Sequence, residues 1–413
     1  MVRTDVTVAQ RIVERLAGDA LRHVDVHDPR TYARVLREGS IGLGESYADG
    51  WWDADDLTAF LRACHRRSAR FHPVLDPLHR AVSPLLDPVA RLRRPDPGRD
   101  ARNVRAHYDL GNDMFEHILD ETMAYSCGVF EHPGASLAAA STAKLDRLGR
   151  MLELTPDDHV LEIGTGWGSV AVHAAQRDGC RVTTTTISER QLEFARRRVR
   201  AAGLDDRVEV LGVDYRELQG TFDKAIAVEM IEAVDWRDYE EFFRACRARI
   251  RDDGLLVLQA IVIGDDAFDR TKRSTDFIKA TIFPGGCLPS VGALTRAATR
   301  HAELRLVHLD DIGTHYPETL RRWRTNLLEQ RASLARIGLD ERFVRLWSFY
   351  FSYCEATRPH VAVCGHVVHT EEVGGLLERQ FPVARCSHRS DPRWARSVGA
   401  VAGAANATCT SVR

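Results

Sequence analysis

A doubly wound, mostly parallel α/β sheet is the fold this 413-residue chain predicts, and three observations predict it. Short apolar runs alternate with amphipathic ones in a regular rhythm from about residue 136 to 263, as strands and helices do in such sheets. The run Val160-Leu161-Glu162-Ile163 turns through Gly164, Gly166 and Gly168 directly into Val170-Ala171-Val172, so a buried strand hands over to a packed helix through bare backbone. Polar residues also recur where apolar runs end, at Thr186–Gln191, Asp214-Tyr215, Glu229–Glu232 and Gln259. Ligands of these sheets sit beyond the C-terminal ends of the strands, which is where that list falls.

Taken in order, residues 1 to about 60 read as a small mixed unit. Val8, Ile12, Val13 and Leu16 repeat at helical spacing, and Asp56 can cap a helix starting at Leu57. Six prolines between Pro73 and Pro97 then interrupt every helical pattern, which puts a linker there and a domain boundary near residue 100. Ser136 opens a helix running through Met151-Leu152, and Pro156-Asp157-Asp158 turns the chain into the central strand. The β-branched run Cys180–Thr186 is the second strand. Ser188 starts a helix closed by Gly203, with Phe194, Val199 and Leu204 on its buried side. Val208–Leu211 and Phe222–Val228 are the next strands, followed by a helix over Phe242–Ile250 and a fifth strand over Leu255–Ile263. The valines of His360–Val368 can supply a closing strand, and 371–413 reads as a divergent tail whose end, Val401 to Arg413, is mostly small and polar.

Composition narrows the function classes. A net charge of −2 gives no global field for nucleic acid. Eleven Arg against four Asp between Arg62 and Arg105 form a local basic band instead, suited to an anionic membrane face. Nine cysteines without C-x-x-C spacing indicate neither zinc nor a disulfide framework and fit a reducing, cytoplasmic setting. No apolar run approaches the roughly 20 residues that span a bilayer, so any membrane association is peripheral, at the inner face.

The spacing G-x-G-x-G is tighter than the dinucleotide fingerprint and favours a nucleoside with a small tail over a pyrophosphate. Two of these residues also have a plain structural reading: Ser188-x-x-Gln191 is a capping box, and Glu232 can cap the helix after it.

Taken together, HYDLGNDMF (107–115), AYSCGVFE (124–131), LEIGTGWGS (161–169), TTISERQ (185–191), DYREL (214–218), EMIEAV (229–234) and IFPGGCLPS (282–290) resemble the cyclopropane-fatty-acyl-phospholipid synthase family of class I S-adenosylmethionine-dependent methyltransferases. The likeness runs from about 100 to 356. It implies a Rossmann-like catalytic domain over 101–370 with helical lid insertions, an N-terminal lipid-interaction domain over 1–100, and unsaturated phospholipid acyl chains as acceptors, with a homodimer possible. Tyr125, Ser126, Glu162, Gly164, Gly166, Gly168, Thr186, Gln191, Asp214 and Tyr215 would then hold S-adenosylmethionine. Cys127, Glu232, Ile261 and Tyr316 match residues that hold a bicarbonate ion in the family, and Cys354 matches one marked as an active-site residue. Cys354 reads as pocket lining, since the chemistry needs no nucleophile.

The chain departs from the pattern at Gln259, where the family commonly has a bicarbonate-holding His, at Ala233, where it has another His, and after Ala356. A Gln amide donates hydrogen bonds but neither carries charge nor shuttles a proton. The expected reaction is one-carbon transfer to a cis double bond with ring closure. Methyl- or methylene-branching of the same chain is the runner-up. A small-molecule methyltransferase and a non-catalytic lipid-binding relative are the readings from other classes.

Overall fold

The computed structural model describes residues 2–67, 112–357 and 359–368. They fall into two compact units, each built from non-contiguous stretches of chain. The basic band, apart from Arg62, Arg66 and Arg67, the boundary near residue 100, positions 107–111 of the HYDLGND block, and the tail all lie outside the described residues.

One unit holds residues 145–272, 287–312 and 360 onward, and its frame is a seven-stranded sheet. In chain order its strands are β3 (His159–Ile163), β4 (Arg181–Thr185), β5 (Val208–Leu211), β6 (Phe222–Val228), β7 (Ile250–Val262), β8 (Leu304–Asp311) and β9 (His360–Val368). They lie in the order β5-β4-β3-β6-β7-β9-β8. The pairs from β5 to β7 are parallel, whereas β9 pairs antiparallel with both β7 and β8. This is the doubly wound sheet the sequence predicts. The order reverses at β3, whose neighbours are β4 and β6, so the crevice at the end of β3 is the ligand position of the fold.

Alternation explains the core. Leu256, Leu258, Ala260 and Val262 face one side of β7 and pack into a cluster with Phe242, Phe243, Leu294 and Ala298. Val257 and Gln259 belong to the other face of the strand and are buried as well. The helices Ser169–Arg177 and Glu189–Ala201 follow their strands as expected, the second capped by the Ser188 hydroxyl and followed by Gly203 at φ +67°. On that helix Ala195 and Val199 are buried, while Phe194 is only half-buried under Arg197.

Two stretches differ from expectation. The helix expected over Phe242–Ile250 is Tyr239–Arg247, and Ile250 already belongs to β7, opposite Phe222. The sequence Arg251-Asp252-Asp253-Gly254 reads as a turn but runs through an irregularity in the ladder. A Cβ on Gly254 would lie 2.3 Å from Ile250 and 2.6 Å from the Asp223 carbonyl, so only glycine fits. The sequence reading also misses β8. Its signal was present in Leu304, Leu306, Val307 and Leu309, but Arg305, His308 and Asp310-Asp311 hid it. The closing strand His360–Val368 forms, and it lies inside the sheet between β7 and β8.

The other unit holds residues up to 144, 273–286 and 313–359. It comprises helices Val2–Ala17, Arg30–Glu38, Ser40–Ala48 and 57–67, a two-stranded ribbon of β1 (Val24–Val26) and β2 (Trp52–Ala54), and the helices Asn112–Ile118, Tyr316–Glu329, Arg331–Arg336 and Glu341–Thr357. The Asp56 carboxylate accepts the Ala59 N–H at 2.9 Å, as a cap should. Aromatic rings fill this unit: Trp52, Phe60, Phe277 and Phe349 form one group, and Phe115, Trp323, Trp347 and Phe351 another. Among the described residues, no helix is long and apolar enough to cross a membrane.

Candidate active site

The glycine loop at the end of β3 is held open by backbone geometry. Gly164, Gly166 and Gly168 have φ of +95°, +52° and +84°, a region that side chains disfavour. A Cβ on Gly164 would lie 2.8 Å from Met230, whereas one on Gly166 would meet nothing within 4 Å. Gly164 and Thr165 donate to the Thr185 carbonyl at 3.1 and 3.0 Å, and the Thr165 and Thr184 hydroxyls meet at 2.7 Å. The loop is thus pinned to β4 while its outer side stays bare. Glu162, 2% exposed, sits at the strand end.

At the end of β4 the capping box is only half formed. The Gln191 N–H binds the Ser188 hydroxyl at 3.4 Å, but the Gln191 side chain turns to Thr186, whose hydroxyl donates to it at 2.8 Å. Asp214, after β5, is committed to its own neighbour Arg216, with bonds of 2.8 and 2.7 Å from the guanidinium. Burial pushes the Asp214 carboxyl up, but the Arg216 hydrogen bonds and charge outweigh it and leave it below the ordinary range. The Tyr215 hydroxyl is buried without a hydrogen-bond partner among the described residues, with its ring 5.5 Å from Phe242.

Beyond β6 and β7 lies a cluster of two carboxyls and an amide. Glu229 has φ +48°, a strained conformation for a residue with a side chain. Gln259 holds it there twice: the Glu229 N–H donates to the Gln259 carbonyl at 2.7 Å, and Gln259 Nε2 donates to Glu229 Oε1 at 2.8 Å. Glu232, on the short turn Ile231–Ala233, accepts the Ile261 N–H at 2.5 Å through Oε1. Its Oε2 and the Gln259 Oε1 are buried and have no hydrogen-bond partner among the described residues. Burial, with the Glu229 charge second, lifts the Glu232 carboxyl to about 8. At neutral pH Glu232 therefore keeps its proton, and its Oε2 has no hydrogen-bond partner among the described residues.

The remaining site residues belong to the other unit. Cys127 is buried and directs its thiol at the Gly128 carbonyl, 3.4 Å away. The Tyr125 hydroxyl meets that of Tyr350 at 3.2 Å, and its ring lies 5.0 Å from Trp323 and 5.1 Å from Phe115. Ser126 accepts a 2.9 Å bond from the buried Lys144 ammonium. Tyr316 opens the helix that carries Trp323, and their rings meet edge to face at 6.2 Å. Burial pushes the Cys354 thiol up, which keeps it from being a nucleophile.

A family model described as mycolic acid cyclopropane synthetase matches residues 96–361. The chain belongs to that family. Its members are S-adenosylmethionine-dependent methyltransferases. Tuberculostearic acid methyltransferase UfaA1 of Mycobacterium tuberculosis is 40% identical over 341 residues, 80% of this chain and 79% of that protein. Cyclopropane-fatty-acyl-phospholipid synthase of Escherichia coli is 34% identical over 341 residues, 82% of this chain and 84% of that protein. Among solved structures, mycolic acid cyclopropane synthase CmaA1, complexed with SAH and CTAB, matches with a TM-score of 0.59 at 25% identity, covering 64% of this chain and 97% of that one.

Within this family frame the sheet-bearing unit fits the donor on its own geometry. The loop offers bare backbone and the open space beside Gly166 that a nucleoside tail needs. The Glu232 carboxyl fits an anion, because a neutral acid donates where a carboxylate repels. The sequence reading listed Glu229 only as a strand-end residue; its strain and its partnership with Gln259 are visible in three dimensions alone. Trp323 and Lys144 were also missed as neighbours of site residues. Nothing in their sequence spacing points to Tyr125 or Ser126.

Proposed function

We propose that this enzyme transfers a one-carbon unit from S-adenosylmethionine to the cis double bond of an unsaturated phospholipid acyl chain, closing a cyclopropane ring. The observation that carries the reading is Glu232, a buried carboxyl with one oxygen bound to the Ile261 N–H and the other without a hydrogen-bond partner among the described residues. When bound, S-adenosylmethionine supplies an electrophilic methyl group, and bicarbonate supplies the base for the proton lost after transfer.

The residues of this chain do the rest. Gly164, Gly166 and Gly168 admit the donor to the backbone, and Glu162, Thr186, Gln191, Asp214 and Tyr215 orient it; the family resemblance assigns Tyr125 and Ser126 to the donor as well. Glu232, keeping its proton, donates to the anion and avoids adding a second negative charge beside it. A carboxylate placed there as the base would sit next to a cationic acyl chain and risk alkylation. Cys127, Ile261, Tyr316 and Gln259 complete the set assigned to the anion, and Cys354 lines the acceptor side. The aromatic faces of Phe283 and Tyr350, 6.0 Å apart, suit a transient cation. The basic band around 62–105 supports attachment to an anionic membrane at its cytoplasmic face.

Gln259 favours the second reading, a methyl- or methylene-branched chain. An amide cannot relay a proton, so the cation has more time to migrate, and a relative named for tuberculostearic acid supports that product. Incubation with dioleoyl phospholipid vesicles and labelled S-adenosylmethionine tests both. Upfield cyclopropane protons in the spectrum of the released fatty acids are expected. Exocyclic methylene protons replace the ring reading by the branched one, and label transfer to no lipid overturns both.

A further inference from the structure

We infer that the helix Ser40–Ala48 is the seat that positions the segment 276–283, and that Ser40 and Gly44 are positioning residues for the acceptor side of the reaction. The inference rests on the acyl-chain reading above and assigns a reaction role to residues that the sequence places in a membrane-contact domain.

The segment is unusual in its backbone. Ile278–Ile282 is a π-helix, and the Phe283 N–H reaches back to the Ile278 carbonyl at 2.8 Å. A single π turn has poor bonding of its own and persists where its surroundings impose it, often at functional sites. The surroundings here are N-terminal. The Ser40 hydroxyl accepts the Phe277 N–H at 3.2 Å and is also hydrogen-bonded to Tyr353. Thr281 donates to Glu45 at 3.5 Å. Gly44 has no side chain where Phe277 lies: a Cβ there would be 2.4 Å from the Phe277 ring and 2.9 Å from Phe349. Phe277 is fully buried and packs on Phe349 at 4.8 Å and on Tyr353 at 6.1 Å. At the other end of the segment, Phe283 packs on Tyr350.

The helix Ser40–Ala48 and the residues just after it fix the two helices that carry Tyr316, Tyr350 and Cys354. Arg345 donates to the Tyr47 and Trp52 carbonyls at 2.7 and 2.9 Å. Glu355 accepts from Thr58 and pairs with Arg324, each at 3.2 Å. A helix that served membrane attachment alone would have no reason to offer a hydroxyl and a missing Cβ to Phe277. The fit is one of size and of one hydrogen bond, and both can be broken singly.

The test is a size-swap series in the full-length enzyme. Gly44→Ala is expected to lower kcat on oleoyl phospholipid vesicles at least tenfold, with the dissociation constant for S-adenosylmethionine within twofold of wild type. The double variant Gly44→Ala/Phe277→Leu is expected to return to within threefold of Phe277→Leu alone. Wild-type kcat in Gly44→Ala, or additive losses in the double variant, overturns the inference. Should Gly44→Ala fail to fold, Ser40→Ala is read by hydrogen exchange. Exchange at the Phe277 amide is expected to rise at least tenfold while β3 to β7 keep their protection, and an unchanged Phe277 amide overturns the seat. This readout needs no turnover, so it stands apart from failure of the proposed activity, which a wild-type enzyme inactive on every lipid would show.

Discussion

In the sheet-bearing unit the candidate residues succeed one another in the order of the strands: Glu162 on β3, Gln191 after β4, Asp214 after β5, Glu232 after β6 and Gln259 on β7. In the other unit Tyr125, Tyr316 and Cys354 come from a loop, a helix start and a helix end, joined by packing between aromatic rings. The first arrangement repeats a rule of parallel sheets, that every strand delivers its last residue to the same edge. The second follows no rule of spacing. Its parts are assembled by side chains from the N-terminal residues, such as Thr58 and Glu45. A repeated frame delivers polar groups one strand at a time, whereas a wall of aromatic rings is held only by its packing partners.

The largest effect is expected at the acid assigned to the anion. Glu232→Gln keeps an oxygen for the Ile261 N–H but replaces the O–H donor and the titration. A fall in kcat of about 10²–10⁴ is expected, the range of a positioned acid–base group, with the dissociation constant for S-adenosylmethionine unchanged by calorimetry. Wild-type activity in this variant would return Glu232 to a capping role. The pH dependence has a definite sign. Glu232 holds its proton up to about 8 in the fold and only to about 4.3 when unfolded. Activity that needs the neutral acid is therefore lost as pH rises through about 8. Between those two values the fold binds the extra proton, so stability falls as pH rises, and Glu232→Gln flattens that slope in urea titrations.

The glycine loop separates ligand from fold. Gly164→Ala meets Met230 at 2.8 Å on top of its positive φ, so about 1–3 kcal/mol of stability is expected to go together with donor binding. Gly166→Ala meets nothing, so its cost to the fold is about 1 kcal/mol. Its added methyl enters the space given to the donor, and affinity for S-adenosylmethionine is expected to drop tenfold or more by calorimetry. Equal affinity in Gly166→Ala and wild type would move the donor away from this loop.

The two units were unequally legible in the sequence. The apolar run Val160–Ile163 and the β-branched run Cys180–Thr186 need only local chemistry to be read as strands, and the glycines after Ile163 mark the switch point without tertiary knowledge. β8 escaped because Arg305 and His308 break its apolar alternation, and the start of β7 escaped because Asp252-Asp253-Gly254 imitates a turn. In the other unit the aromatic residues could be seen but not paired. Tyr125 and Tyr350 meet across 225 positions, and Ser40 reaches Phe277 across 237, distances over which composition carries no signal. The half-formed capping box at Ser188 is an intermediate case: the cap was legible, but the turn of Gln191 toward Thr186 depended on a neighbour that spacing alone does not select.

The smallest effect concerns His366 in β9, which belongs to the legible unit yet breaks its logic. Its neighbours across the ladder are Leu256 and Leu306, and the Phe243 ring lies 5.8 Å away. It is 1% exposed, and neither ring nitrogen has a hydrogen-bond partner among the described residues. Burial depresses its pKa to about 4, so the folded chain keeps it neutral. The unfolded chain takes up a proton near 6.5, so from about 6.5 down to about 4 the unfolded state binds more protons and stability falls with pH. His366→Leu matches the leucines on either side and removes both unsatisfied nitrogens. It is expected to raise stability by about 1–3 kcal/mol and to abolish this acid slope in urea titrations, leaving kcat unchanged. A loss of activity with the fold intact would mean that this histidine serves the reaction, and that the sheet-bearing unit hides function where its periodic pattern shows only a strand.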